Sequence, residues 1–339
     1  MKALVYEGAW QMPMRQVDAP QITSPDDVIV QVAAVGVCGS DVHGFKGTTG
    51  RRKPPIIMGH EFSGSITALG AQVADHQVGE RVVVNPLLTC GTCENCRAGL
   101  PNICFNRSGL GVNLNGAYAD AVRVHQKMVY VLPDELTWEQ GTLVEPLAVA
   151  MHAVNLTPFK LMDTVVIIGT GTIGLLTLLA AKLRGAGKII VTDVNAHRLE
   201  MAGQLGADVV VNVANEDPLA VVYAHTQGRG ASAVIEAVGI TATVKQSLAL
   251  VRNGGHVTWI GNSDPEVTIN MQQIVTREVT VRGTYGFNDE FAQSIEMIRA
   301  GRINPMLLVE KIASLDEGTS IINDLAKGGM DLVKVILRP

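Results

Sequence analysis

The chain has 339 residues, 47% of them hydrophobic and 17% charged, with a net charge of -5. The length exceeds one typical core and implies two domains, and the composition excludes a disordered chain. No basic stripe offers a footprint for nucleic acid or an anionic membrane surface. The opening "MKALVYEG" carries one Lys and then strand-like alternation, without the apolar region of a signal peptide. Residues 1–150 read as short strands broken by Gly, Pro and Asn: "DVIVQVAAVGVCG", "FSGSITALG", "GERVVVNP", "AYADAVRVH". From Asp163 the rhythm changes to strand–helix alternation. "TVVIIG" is followed by "TIGLLTLLAAKLRGAG", and the pattern continues through "KIIVTD", "NAHRLEMAGQLGA", "DVVVNV", "DPLAVVYAHTQG", "ASAVIEAVG", "TATVKQSLALVRNGG" and "HVTWIGN". Such alternation predicts an α/β unit with a doubly wound parallel sheet over residues 151–287. The tail, 288–339, contains a helix ("DEFAQSIEMIRAGR") and a terminal strand ("LVKVILRP"), and is expected to return to the first domain. The most apolar helix-like stretch meets Lys182 too early to cross a bilayer. The expectation is a soluble, cytoplasmic protein with no membrane or nucleic-acid partner. In that reducing compartment clustered cysteines bind metal more often than they pair.

Gly169, Gly171 and Gly174 form G-x-G-x-x-G, with Thr172 and Ile173 between the last two, where a buried strand meets a helix. Asp193 ends the next strand, the position of a ribose-binding acid. The glycines allow a tight turn, close approach to a pyrophosphate and close helix–strand packing. The helix N-terminus supplies amide donors. Asp193 can accept from the ribose hydroxyls and would repel a 2′-phosphate, so the expected cofactor is NAD rather than NADP. Arg198, one turn on, is placed to stack on adenine. The bland alternative is a glycine turn that only packs, with Asp193 as a strand-end cap.

"CGTCENCRAGLPNIC" holds Cys90, Cys93, Cys96 and Cys104, four of the five cysteines. Two-residue gaps let thiolates converge on one tetrahedral ion, and four sulfurs close its coordination. Zinc is expected there in a structural role. An iron–sulfur cluster is the rival, but no Pro follows Cys104 and no second cysteine cluster exists. The remaining Cys38 lies in "GVCGSDVHG"; His60 and Glu61 lie in "MGHEFSG", and Glu145 in "LVEPLAVAMHA". These are zinc-ligand types, and three protein ligands with one open position make a catalytic zinc. Taken singly, Cys38 is equally a small buried residue and His60 a turn histidine.

In this order and spacing, "GVCGSDVH", "GHEFSG", the four-cysteine loop, "EPLAVAMHA" and "VVIIGTGTIG" resemble the zinc-dependent medium-chain dehydrogenases, in particular the polyol branch of sorbitol, threonine and galactitol-phosphate dehydrogenases. The resemblance covers essentially the whole chain. It implies a β-rich GroES-like catalytic domain (1–150 with 288–339) split around a Rossmann domain, with the active site in the cleft between them. It implies Cys38 and His60 as catalytic zinc ligands, with Glu145 where alcohol dehydrogenases place a cysteine. Glu61 matches a residue that ligates zinc in some relatives and supports it in others. Asp41 matches the residue that orients the histidine. Ser40 and His43 match a relay carrying the alcohol proton to water. The implied reaction is hydride transfer from a secondary alcohol of a polyol, polyol phosphate or aldonate to NAD, with two zinc ions per subunit in a homo-dimer or homo-tetramer. A threonine-type amino-alcohol dehydrogenase, zinc-free quinone reduction and a metal-stabilised NAD sensor are the alternatives. Animal-type sorbitol dehydrogenases place a Tyr and an Arg where this chain has Gly44 and Gly286, which argues against sorbitol. The cluster Arg51, Arg52 and Lys53 is a solvated loop or a reader of a substrate phosphate or carboxylate.

Overall fold

Two compact units make up the chain, the first from Met1–Glu145 with Phe291–Pro339 and the second from Pro146–Glu290. The structure, a computed structural model, describes residues 1–48 and 50–339. The first unit begins with strands β1 (Lys2–Tyr6) and β2 (Asp27–Gly36), helix α1 (Gly39–Phe45), and strands β3 (Glu61–Leu69), β4 (Arg81–Val84), β5 (Ala121–His125) and β6 (Val129–Val131). Helix α2 (Val144–Leu156) then leads into the second unit. There β7 (Thr164–Ile168), α3 (Thr172–Leu183), β8 (Lys188–Asp193), α4 (Ala196–Gln204), β9 (Val209–Asn212), α5 (Pro218–His225), β10 (Ala231–Glu236), α6 (Thr241–Leu250), β11 (Val251–Trp259) and β12 (Thr280–Gly283) follow. Helix α7 (Glu290–Arg299) returns the chain to the first unit, where β13 (Val309–Ser314), α8 (Gly318–Lys327) and β14 (Lys334–Arg338) complete it.

In the first unit the main sheet runs β6-β4-β3-β2-β14-β13, and β5 also pairs with β2. Strand β2 is its axis. Val28, Val30, Val32 and Val35 are buried along it, as suits β-branched side chains on a pleated surface. Strand β3 pairs along most of β2, with register shifts at Ile29/Val30 and Val32/Ala34. On the other edge β5 takes Asp27–Gln31 and the terminal β14 takes Val35 and Gly36. The last residues of the chain are thereby laid beside Gly36, next to the segment that carries Cys38.

The second unit is a six-stranded parallel sheet in the order β9-β8-β7-β10-β11-β12. Its order reverses between β7 and β10, the switch point at which such sheets bind nucleotides. Its central strands are buried, Val166, Ile168, Ile190 and Val234 among them, while the edge strands β9 and β12 are partly exposed.

Three features differ from the sequence expectation. The helix predicted to run through Gly255 stops at Leu250, and β11 starts at Val251. The apolar Val251, 0% exposed, pairs with Ala231 instead of extending a helical face. The tail contains β13 and α8 besides the helix and strand expected. Helix α8 opens on "GTS", a weak helix start, and is held by burial of Ile321 and Ile322. The units divide after Glu145 and after Glu290, within α2 and α7, a few residues from the expected boundaries after 150 and 287. Among the described residues no helix is long and apolar enough to cross a membrane.

Candidate active site and metal centres

Strand pairing builds the first cluster. Gly36 faces Glu61 across β2 and β3, so Cys38 just past one strand and His60 just before the other emerge at the same end. The Cys38 sulfur, a His60 ring nitrogen and a Glu61 carboxylate oxygen lie within 4.8 Å of one another. Cys38 caps α1, its sulfur accepting from the Ser40 amide at 3.4 Å. Gly36 has no Cβ because one there would fall on the Glu61 carboxylate and 3.1 Å from Lys334 Nζ. Glu145 does not share the 4.8 Å group. It is nevertheless close enough for the charges of His60, Glu61, Lys334 and Asp41 to act on it.

Around this cluster is a buried charge network, of which the sequence pointed only to Asp41. Lys334 Nζ bonds the Glu61 carboxylate and donates to Val37 O at 3.3 Å. Asp41, fully buried, accepts from Arg52 Nη2 at 2.7 Å and from the Tyr118 hydroxyl at 2.8 Å. Its Oδ1 also lies 3.4 Å from His60 Nδ1, a charge contact longer than a good hydrogen bond. That contact leaves Nε2 of His60 as the nitrogen for a metal. Burial opposes the charge on Asp41, but His60, Arg52 and Tyr118 outweigh it and hold its carboxyl far below the usual range. Burial likewise opposes a charged His60, yet the Asp41 carboxylate and the Cys38 sulfur keep its pKa well above the ordinary imidazole value. Burial pushes Glu145 up to about 7, with Glu61 and Asp41 adding to the rise against His60 and Lys334. Sulfur, imidazole and carboxylate donors thus face one another within a largely buried cluster. Soft sulfur, imidazole and carboxylate with one carboxylate oriented on the histidine are the donor set of a zinc site, and the residues present fit that ion.

One expectation about this region changes. Arg52 is buried and committed to Asp41, Ser40 and Gly111, so it does not read a substrate anion. Arg51 and Lys53 are exposed and line a groove with Asp18 and Asp27 that none of the cluster residues joins. The sequence showed three like charges in a row; only the fold turned the middle one inward. Ser40 and His43 both lie on α1 and are exposed. Partial burial of the ring, then Lys46, lowers the His43 pKa.

Cys90, Cys93, Cys96 and Cys104 form the second cluster, all within 4.8 Å. The sulfur separations are 3.5 Å (Cys93–Cys96), 3.7 Å (Cys93–Cys104) and 3.5 Å (Cys90–Cys104). A tetrahedron with Zn–S bonds of about 2.3 Å has edges of about 3.8 Å. Amides point at the sulfurs: Cys93 N to Cys90 at 3.3 Å and Asn106 N to Cys104 at 3.3 Å. Amide donation from Thr92 and Cys93 brings the Cys90 thiol down to about 5. The four cysteines are free of disulfides and fit a closed metal site.

In the second unit Gly169 (φ 91°) follows β7, and Gly171 precedes α3, whose first turn holds Thr172, Ile173 and Gly174. A Cβ on Gly174 would collide with the Gly169 carbonyl, so the close packing that the motif requires is present. Asp193 closes β8; its carboxylate accepts from Thr170 N (2.6 Å), Thr170 Oγ1 (2.9 Å) and Asn195 N (2.9 Å). These bonds fix its direction and leave lone pairs for a diol. Arg198 lies in the first turn of α4, behind the Asn195 cap.

Comparison with known proteins agrees with this layout. Residues 24–134 match the alcohol dehydrogenase GroES-like domain family, and residues 172–300 match the zinc-binding dehydrogenase family. Sorbitol dehydrogenase of Bacillus subtilis is 34% identical, covering 100% of this chain and 97% of that protein. D-arabitol-phosphate dehydrogenase of Enterococcus avium is 34% identical, covering 97% of this chain and 95% of that protein. Among solved structures, a zinc-binding dehydrogenase of Sinorhizobium meliloti bound to NADP superposes with a TM-score of 0.91 at 33% identity, covering 100% of this chain and 99% of that one. The chain belongs to the zinc-dependent medium-chain dehydrogenase family, in its polyol dehydrogenase branch. Its activity is that of an NAD(P)-dependent alcohol dehydrogenase acting on small-molecule alcohols.

Proposed function

We propose that the protein oxidises a secondary alcohol of a polyol, polyol phosphate or aldonate to the ketose with NAD, and catalyses the reverse reduction. The convergence of Cys38, His60 and Glu61, with Glu145 close by and Asp41 behind the histidine, carries this reading. Cys38 and His60 would hold the catalytic zinc, with Glu61, which shares their cluster, or the nearby Glu145 as the third ligand. Cys90, Cys93, Cys96 and Cys104 would hold a second, structural zinc. The sorbitol and arabitol-phosphate names of the relatives support the polyol class. Asp193 supports NAD, since its carboxylate repels a 2′-phosphate; the NADP-bound relative makes that preference the point to measure.

When bound, the zinc supplies a Lewis acid for the substrate hydroxyl and the nicotinamide accepts the hydride. The protein moves the proton. Ser40, exposed at the start of α1, would take it and pass it toward His43. The lowered pKa of His43 keeps its imidazole neutral and ready to accept near pH ~7. The subunits are expected to assemble as a homo-dimer or homo-tetramer.

A panel of polyols, polyol phosphates, aldonates and L-threonine with NAD and NADP tests the assignment, read as NADH or NADPH absorbance. Turnover confined to L-threonine, or none on any alcohol, overturns it. His60→Ala should abolish turnover and leave NAD binding intact, and a chelator should remove one zinc before the four-cysteine one. Wild-type activity in His60→Ala would contradict the site.

A further inference from the structure

Arg52 is a buried cation that the mechanism leaves unused. Its side chain is 3% exposed, and its donors divide among three partners from two segments. Nε donates to Gly111 O at 2.8 Å, Nη1 to Ser40 O at 3.0 Å, and Nη2 to Asp41 Oδ1 at 2.7 Å. Nη2 also lies 3.5 Å from Ser40 Oγ. Asp41 Oδ1, the atom Arg52 holds, is the one that faces His60 Nδ1. The guanidinium thus touches both the residue that orients the histidine and the residue that would take the alcohol proton. A lysine has one nitrogen and cannot span these acceptors; the planar fork can.

A steric complement sits opposite. Gly44 is buried in α1, and a Cβ there would lie 2.5 Å from Arg52 Nη1, 2.8 Å from Cδ and 2.9 Å from Cζ. Glycine inside a helix costs roughly 0.5–1 kcal/mol relative to alanine, so its presence calls for a local reason, and the space taken by Arg52 is one. No larger side chain can stand at position 44 while Arg52 keeps this place.

We propose that Arg52 is a positioning residue for the catalytic zinc site: through Asp41 it fixes the ring of His60, through Ser40 it fixes the first turn of α1, and Gly44 is the space it needs. This rests on the reading of Cys38 and His60 as zinc ligands. Arg52 touches neither metal nor substrate, and its effect is on how firmly the ligands are held.

Zinc retention tests it. Full-length wild type, Arg52→Met, Arg52→Lys, Gly44→Ala and the exposed control Arg51→Met are challenged with a chelator, and zinc per chain is followed with time. The four-cysteine zinc is the internal control for folding. Arg52→Met and Gly44→Ala should each lose one zinc roughly 10–100-fold more readily, as loss of an outer-sphere partner does. The other zinc should leave at the wild-type rate. kcat should fall with that lost zinc, and KM for NAD should not move. Arg52→Lys should not restore retention, and Arg51→Met should match wild type. Because the methyl of Gly44→Ala acts only through the guanidinium, Arg52→Met/Gly44→Ala should be no worse than Arg52→Met. Wild-type retention in both single variants, wild-type retention in Arg52→Lys, or additive loss in the double variant overturns the proposal. If Arg52→Met loses both zincs together and melts early, it has failed to fold and Gly44→Ala decides, wild-type retention there being refutation. A wild type with one zinc that His60→Ala does not remove refutes the underlying site as well, which separates the two failures.

Discussion

Lys334 and Glu61 form an ion pair with side chains 0% and 1% exposed. Lys334→Met keeps the volume and removes the charge. It leaves a buried carboxylate without its cation and the Val37 carbonyl without a donor. Breaking one side of a buried pair costs about 3–5 kcal/mol. In a unit of this size each kcal/mol moves Tm by about 2–4 °C, so a fall of roughly 6–20 °C is expected. The assay is calorimetry on zinc-depleted protein, because a bound cation beside Glu61 would itself replace the lost charge. Glu61→Gln/Lys334→Met removes both charges and should recover most of the loss, since the pair is worth far less than either partner alone. A fall of under about 2 °C in the single variant, or no recovery in the double, would refute the reasoning.

Two further outcomes follow from the site. Glu145 has its pKa raised from 4.5 to about 7 in the metal-free fold, so between those values the folded chain holds a proton that the unfolded chain has released. The stability this contributes is full below the unfolded value and is lost as pH rises toward 7. Tm of zinc-depleted protein should therefore fall between about pH 5 and about pH 8, and Glu145→Gln should flatten the slope; an unchanged slope refutes it. His60, held charged by Asp41 and Cys38, adds its own loss at higher pH, so the variant isolates the share of Glu145. At Asp193, replacement by Ala should raise the kcat/KM ratio of NADP to NAD by about tenfold or more, ~1.4 kcal/mol, and an unchanged ratio would remove Asp193 as the selector.

Some of this was legible in the sequence because it is written in short spans. The glycine motif is local: Gly174 must pack on the Gly169 carbonyl five residues away, and a five-residue turn shows itself in one glance at the chain. The four cysteines are likewise close in sequence, and their spacing points to one shared metal site. The parallel sheet followed from apolar runs alternating with helices. The end of α6 was misplaced because "VRNGG" belongs to a strand only once Ala231 pairs with Val251.

Apart from Asp41, to which the family resemblance pointed, the groups that hold the site were not legible, for a physical reason. Asp41 is held by residues 52, 60 and 118, and Glu61 by residue 334. Lys334 arrives because β14 lies beside Gly36, His60 because β3 pairs with β2, and Arg52 and Tyr118 come from segments distant in the chain. In the linear chain Arg51, Arg52 and Lys53 are three equal surface cations, and Lys334 is one polar residue near a terminus. The sequence alone determined which residue types were available and which short motifs they form. The tertiary structure decided which charges lost their water, and a charge without water has to find a partner wherever the fold puts one.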